Sequence, residues 1–174
     1  MLLNHIGLRT VTRKFTYNEL FEETFGFNCH TAPSSQLEVC AKRHGLVSSE
    51  QDSLGKSYFL EFLTTHMTST KLRGRGFIFV YNYPKELRCY SELSSDPKRF
   101  AKRFELFCDG LELANGYQEI LGEEEQRQCF DDENKIRIQN GLPKVLLDED
   151  WLYSLRNSNL KVLAGVALGL ERVL

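Results

Sequence analysis

The run Phe77-Ile78-Phe79-Val80-Tyr81 constrains the fold more than any other stretch of the chain, because five consecutive β-branched or aromatic residues match a buried strand in both composition and length. Helical periodicity precedes it and two-residue alternation follows it. The chain therefore reads as one α+β domain over residues 1–174, helical across 15–70 and sheet-containing across 76–174. The basic, glycine-punctuated turn Lys71-Leu72-Arg73-Gly74-Arg75-Gly76 marks the change, and Pro84 ends or edges the strand.

In the helical part, Thr16-x-x-Glu19 forms a capping-box pattern, and Leu20, Phe21 and Phe25 recur at helical spacing before Gly26, which predicts a helix from Tyr17 to Phe25. A second helix is expected from Ser35-x-x-Glu38 through Leu37, Cys40, Ala41 and His44 to Gly45. A third is expected from Gln51 to Met67, with Leu54, Tyr58, Phe62 and His66 on its inner side. His44 and His66 read as helix-face residues without metal-ligand spacing.

Beyond the strand, Lys85 to Pro97 is polar and irregular, a loop beside whatever site the strand ends define, and Lys98 to Arg103 is ambiguous between helix and strand. Alternation across Phe104 to Asp109 and Leu111 to Ala114, broken by Gly110, predicts two adjacent antiparallel strands. Glu123 to Gln139 reads as a solvent-facing helix with a Glu123/Arg127 pair, anchored by Phe130 and stopped by Gly141-Leu142-Pro143. Gly165-Val166-Ala167-Leu168-Gly169-Leu170 alternates small and large residues like a strand, and the chain is expected to end inside the element that follows.

The 174 residues are 41% hydrophobic and 26% charged with a formal net charge of -2, so bulk electrostatics offer no case for nucleic-acid binding. No apolar run reaches the length of a membrane span, and the start Met1-Leu2-Leu3 meets His5 and Gly7 before a signal-peptide core can form, which predicts a cytoplasmic protein. Five cysteines, an odd number without a Cys-x-x-Cys pair, read as reduced and mostly buried thiols. Phosphate-binding loops, dinucleotide fingerprints, hydrolase elbows and zinc-ligand spacings are all missing from the sequence.

The densest polar feature is Glu112-Leu113-Ala114-Asn115-Gly116-Tyr117-Gln118-Glu119. Glu112 and Glu119 offer anionic oxygens for a magnesium ion or an ammonium group, but seven residues apart they fall on opposite faces of a straight strand. They converge only if Asn115-Gly116 makes a bulge or turn; otherwise they are ordinary surface glutamates. Arg172, after the glycine-rich strand, opens a helix where a guanidinium meets phosphate oxygens or simply solvent.

Arg103-Phe104-Glu105-Leu106-Phe107, the stretch from Gly110 to Glu119, and Gly165-Val166-Ala167-Leu168-Gly169-Leu170-Glu171-Arg172 together resemble the C-terminal part of a class II lysyl-tRNA synthetase catalytic domain. They are closer still to the short lysyl-tRNA-synthetase-like enzymes that lysylate elongation factor P. The resemblance implies a partial class II catalytic fold, with a six- or seven-stranded antiparallel sheet flanked by helices. It implies ATP and magnesium as reactants and activation of lysine or beta-lysine as an aminoacyl adenylate, followed by transfer to a lysine of elongation factor P. By the same resemblance Glu112 lies on the ATP and magnesium side, Leu113 packs at the nucleotide, Glu119 meets the amino group of the substrate, Gly169 lines the nucleotide pocket, and Arg172 is the catalytic arginine on the outer phosphates.

The sequence also departs from that pattern. The family's first two motifs would stand ahead of this chain, so a truncated catalytic domain with an incomplete site is expected, associating as a homodimer or with a separate N-terminal half. Asn82-Tyr83-Pro84-Lys85-Glu86-Leu87-Arg88 stands where relatives carry His-Phe-Pro followed by small residues and glutamine, and Gly122-Glu123 replaces the usual residues after Glu119-Ile120-Leu121. No anticodon-binding domain is present, so tRNA is not the expected acceptor. Two functions stay open: ATP-dependent activation of lysine or beta-lysine and its transfer to elongation factor P, or a noncatalytic interaction protein derived from the same fold.

Overall fold

Thr16 ends one element and starts the next. Its hydroxyl accepts from the Glu19 amide at 3.2 Å while the Glu19 carboxylate accepts from the Thr16 amide at 2.6 Å, so the capping box forms as the sequence predicts. In the computed structural model, which describes residues 13–46, 55–96, 100–139 and 141–173, Thr16 joins β1 (Arg13–Thr16) to α1 (Tyr17–Phe25). Gly26 closes α1 in the left-handed region at φ 80°, a conformation that glycine adopts without strain.

α2 spans Ser34–Arg43, one residue earlier than the capping pattern at Ser35 suggested. Pro33 occupies the cap without a side-chain bond, and Glu38 pairs forward with Lys42 at 2.6 Å instead of reaching back. α3 spans Lys56–Lys71. The expected start at Gln51 and the core position Leu54 lie outside the described residues, as do Pro97, Lys98 and the first twelve residues. The buried face of α3 is Phe59, Leu60, Leu63 and Met67 rather than Tyr58 and Phe62, which sit half-buried at its margin with rings 4.7 Å apart.

The sheet runs β1-β2-β3-β4-β5, with β2 (Phe77–Tyr83), β3 (Ala101–Cys108), β4 (Leu111–Gln118) and β5 (Ala164–Leu168). Four strands are antiparallel neighbours, but β1 pairs parallel to β2, so the sheet is mixed rather than purely antiparallel. A parallel pair needs a crossover, and here α1, α2 and α3 supply it. They cover one sheet face, burying Tyr17, Leu20, Phe21, Leu60, Leu63 and Met67 against Ile78, Val80 and Tyr83. The opposite face carries a smaller cluster of Phe77, Leu106, Leu113 and Ala114.

Asp109 (φ 50°) and Gly110 (φ 88°) form the two-residue turn between β3 and β4, the left-handed pair that matches the twist of a hairpin. α4 (Glu123–Gln139) has the expected bounds but a different anchor. Phe130 is only half-buried, while Gln126 donates to the Ile120 carbonyl at 2.9 Å and Asn134 bonds both backbone groups of Val145. α5 (Glu149–Arg156) and α6 (Leu170–Val173) complete the fold. Cys29 and Cys40 are buried, whereas Cys89 is exposed and Cys108 and Cys129 are half-buried, so fewer thiols are covered than the sequence suggested; all five are free of disulfides. Among the described residues no helix is long and apolar enough to cross a membrane.

Gly116 permits β4 and β5 to pair closely: a Cβ there would lie 2.6 Å from the Gly165 carbonyl oxygen and 2.8 Å from the Phe104 ring. Gly116→Ala should destabilise the chain by about 2–3 kcal/mol, read as a lower urea midpoint at an unchanged slope.

Candidate functional site

The site begins with a break in strand regularity. Between Tyr81 and Tyr83 the β2–β3 register shifts, with Asn82 at φ 57°, and the shift turns Tyr83 onto the helix-covered face instead of the opposite one. On β3, Arg103, Glu105 and Phe107 alternate onto that same face. The Tyr83 hydroxyl donates to Glu105 Oε2 at 2.6 Å, and Arg103 Nη2 donates to Glu105 Oε1 at 2.5 Å. The guanidinium also lies over the Tyr83 ring, 4.9 Å from its centroid, and its Nη1 reaches the Leu87 carbonyl at 2.9 Å and Cys89 Sγ at 3.3 Å. Behind Tyr83, the Tyr17 ring sits 5.0 Å away and bonds Thr64 of α3 at 2.7 Å, which ties the helical layer to the floor of the site.

Burial raises the Glu105 carboxyl above its ordinary range and the nearby Glu112 adds to the rise, while Arg103 and Tyr83 pull the other way. Burial, reinforced by Glu105, holds the Tyr83 phenol well above its usual value, so it remains a donor.

Above this floor is a cavity of roughly 1070 Å³, walled by α3 and roofed by α4. The roof is fastened by Arg88 to Glu125 at 2.7 Å and by Tyr90, which donates to Glu133 at 2.6 Å. Seven carboxylates line the cavity (Glu61, Glu86, Glu105, Glu112, Glu125, Asp132 and Glu133) with two guanidiniums, Arg88 and Arg103; Glu86 is paired with Lys56 and Asp132 with Lys135, so Glu61, Glu112 and Glu133 stand outside these ion pairs. Both guanidiniums are already paired, and burial raises the Glu61 carboxyl. Such a lining favours cationic groups: an ammonium, or a hydrated divalent ion with oxygen ligands.

Glu112 lines this cavity and accepts from the Asn115 amide at 3.2 Å. The irregularity in β4 lies at Leu113, not at Asn115-Gly116, because Leu106 pairs with Ala114 while Phe107 pairs with Glu112. This bulge sets Glu112 on the face of Asn115 and Tyr117. It also sends Leu113 to the opposite face, buried with Phe77, Leu106 and Ala114 and outside the cavity lining. Glu119 follows the far end of β4, bridged to Ser91, with its carboxylate beside Gly165 and its carboxyl raised by burial. Glu112 and Glu119 thus stand seven residues apart, near the two ends of β4. Arg172 and Gly169 do meet the Glu112 end: Arg172 Nη1 donates to the Glu112 carbonyl at 2.7 Å, and the Gly169 amide donates to the Leu113 carbonyl at 2.9 Å.

The sequence reading did not assign Tyr83, Arg103 or Glu105 to the site. A usable signal was present: Arg103 and Glu105 are charges two residues apart in a strand of otherwise buried pattern. They share a face, and burial on that face requires them to be partnered.

The family model for tRNA synthetases class II (D, K and N) matches residues 5–174. The chain belongs to this family. Among curated relatives, the elongation factor P--(R)-beta-lysine ligase of Pseudoalteromonas translucida is 31% identical over 162 residues, 93% of this chain and 50% of the relative. The ligase of the same name from Histophilus somni is 32% identical over 159 residues, 91% of this chain and 48% of the relative. That from Pasteurella multocida is 31% identical over 163 residues, 94% of this chain and 50% of the relative. The chain thus spans about half the length of the curated relatives it matches. Within this synthetase fold, the cavity sits on the sheet face that carries both conspicuous acidic strand positions, Glu105 and Glu112.

Tyr83→Phe keeps the ring and removes the donor to Glu105. It should cost about 1.5 kcal/mol in chemical denaturation. Because a donated hydrogen bond favours the ionised carboxylate, its loss should raise the Glu105 carboxyl further, which 13C NMR titration would follow.

Proposed function

We propose that this chain carries out part or all of an ATP-dependent amino-acid ligation: activation of lysine or beta-lysine as an aminoacyl adenylate, then transfer to a lysine of elongation factor P. The observation that carries this reading is the acidic cavity on the synthetase sheet, whose excess of carboxylates suits a substrate with two amino groups. The name shared by the relatives supports beta-lysine and elongation factor P in particular. A substrate that serves translation places the reaction in the cytoplasm.

In this reading the substrate carboxylate attacks the α-phosphorus of ATP and pyrophosphate leaves. Glu119, at the far end of β4, receives a substrate ammonium, and its distance from Glu112 separates the amine-binding end of the site from the phosphate-binding end. Arg172 has its guanidinium anchored on the Glu112 carbonyl at the phosphate end, where it would meet the outer phosphates. Gly169 brings backbone close to the same place without a side chain.

The donor set fits magnesium. Glu112 presents hard carboxylate oxygens with Asn115 as their hydrogen-bond partner, and the Glu105 carboxylate lies near enough to feel its charge. Glu112 would hold the ion, which would supply positive charge to the phosphates of the nucleotide. The protein's own residues align the groups: Tyr83 and Arg103 fix the Glu105 carboxylate.

Purified chain should catalyse magnesium-dependent ATP–pyrophosphate exchange stimulated by beta-lysine or lysine, and Glu112→Ala should lower it roughly a hundredfold. Exchange that is absent from a folded sample, or that is indifferent to this substitution, would sink the reading.

A further inference from the structure

We propose that His44 and His66 together bind a borderline transition-metal ion of the Zn2+ or Ni2+ class at the junction of α2 and α3, outside the lining of the acidic cavity. His44 caps the C-terminus of α2, and His66 lies in the second half of α3; the fold brings their imidazoles to a centroid distance of 4.6 Å with planes inclined at 45°.

That spacing is what a shared ion requires. With a metal–nitrogen bond of about 2.1 Å and a ring centroid about 1.1 Å beyond the nitrogen, each centroid lies about 3.2 Å from the metal, so ligand angles of about 90–110° separate the centroids by about 4.5–5.2 Å. The observed separation of 4.6 Å falls inside this interval.

Burial favours the ligand form of the His66 ring. Burial, with His44 alongside, holds His66 below the ordinary histidine range, so it is neutral near pH 7. His44 is exposed, which gives an ion access from solvent, and it stands at the helix end where backbone carbonyls point outward and favour positive charge. Lys42, the basic residue two positions before it, is paired with Glu38. Phe25 of α1 packs against both rings, at 5.4 Å from His44 and 6.1 Å from His66, and holds them on one side of the pair. Among the described residues no third His, Cys, Asp or Glu completes a cluster, so water fills the remaining positions. A bound ion would clamp the end of α2 to α3, the helix whose Thr64, Thr65 and Thr68 wall the acidic cavity.

The test is calorimetric titration of the full chain with NiCl2, paired with thermal unfolding in the presence and absence of nickel. His44→Ala and His66→Gln report on the two ligands, and Cys89→Ser sets aside the exposed thiol. The expected result is one ion per chain, affinity lowered at least tenfold by either histidine substitution but not by Cys89→Ser, and a nickel-dependent rise in the unfolding midpoint confined to chains with both histidines. Lack of saturable binding by the folded chain, or binding that persists in either histidine variant at unchanged affinity, overturns the proposal. The result is independent of whether the chain activates an amino acid.

Discussion

A buried carboxylate with two donors organises this domain. Glu105 sits in the middle strand of the sheet beneath the helical layer, where an unpartnered charge would be prohibitively costly, and Arg103 and Tyr83 answer that requirement from different directions. Meeting it fixes more than one side chain. Tyr83 reaches the carboxylate only because β2 breaks its register at Asn82, and Arg103, while bonding Glu105, also holds the loop at Leu87 that leads toward the cavity roof. Removal of either donor would leave the other bonded to a partly desolvated charge, so the pairings stand or fall together.

Local chemistry made much of the fold legible in the sequence. The Thr16/Glu19 box, the five-residue apolar strand and the break at Gly110 each have a mechanism within a few residues, and each formed where the sequence placed it. The inner face of α3 was misread because both of its candidate stripes are apolar, and only the position of the sheet chooses Phe59 and Leu63 over Tyr58 and Phe62. The parallel pairing of β1 was invisible for a similar reason: four residues carry no mark of which distant strand they will join. Of the two strand glutamates that line the cavity, the sequence reading singled out Glu112 and not Glu105. The spacing of Glu112 and Glu119 was correctly recognised as requiring an irregularity, but its location at Leu113 depends on backbone pairing that one strand's sequence does not encode.

The distribution of charge within the cavity matters more than its size. Carboxylates arrive from the sheet, from α3 and from α4, while the two guanidiniums are engaged with acids on its rim and floor. A nucleotide triphosphate entering such a space must bring positive charge with it, whereas an amine enters unaided. The two reactants of the proposed ligation therefore face opposite electrostatic conditions at this sheet. Placing Arg172 and Gly169 at the Glu112 end and Glu119 at the other end of β4 separates those conditions along a single strand.

The parallel register of β1 with β2 also sets the order of assembly. Arg13 pairs with Ile78 only after the whole helical crossover has been gathered between them, whereas β3 and β4 meet across two turn residues. Loop-closure entropy makes the hairpin the early event and the β1 edge a late one. The charged pair on β3 would then be exposed on a nascent hairpin and become desolvated only when α1 and α3 dock, so the step that buries Glu105 is the same step that closes the sheet at its N-terminal edge.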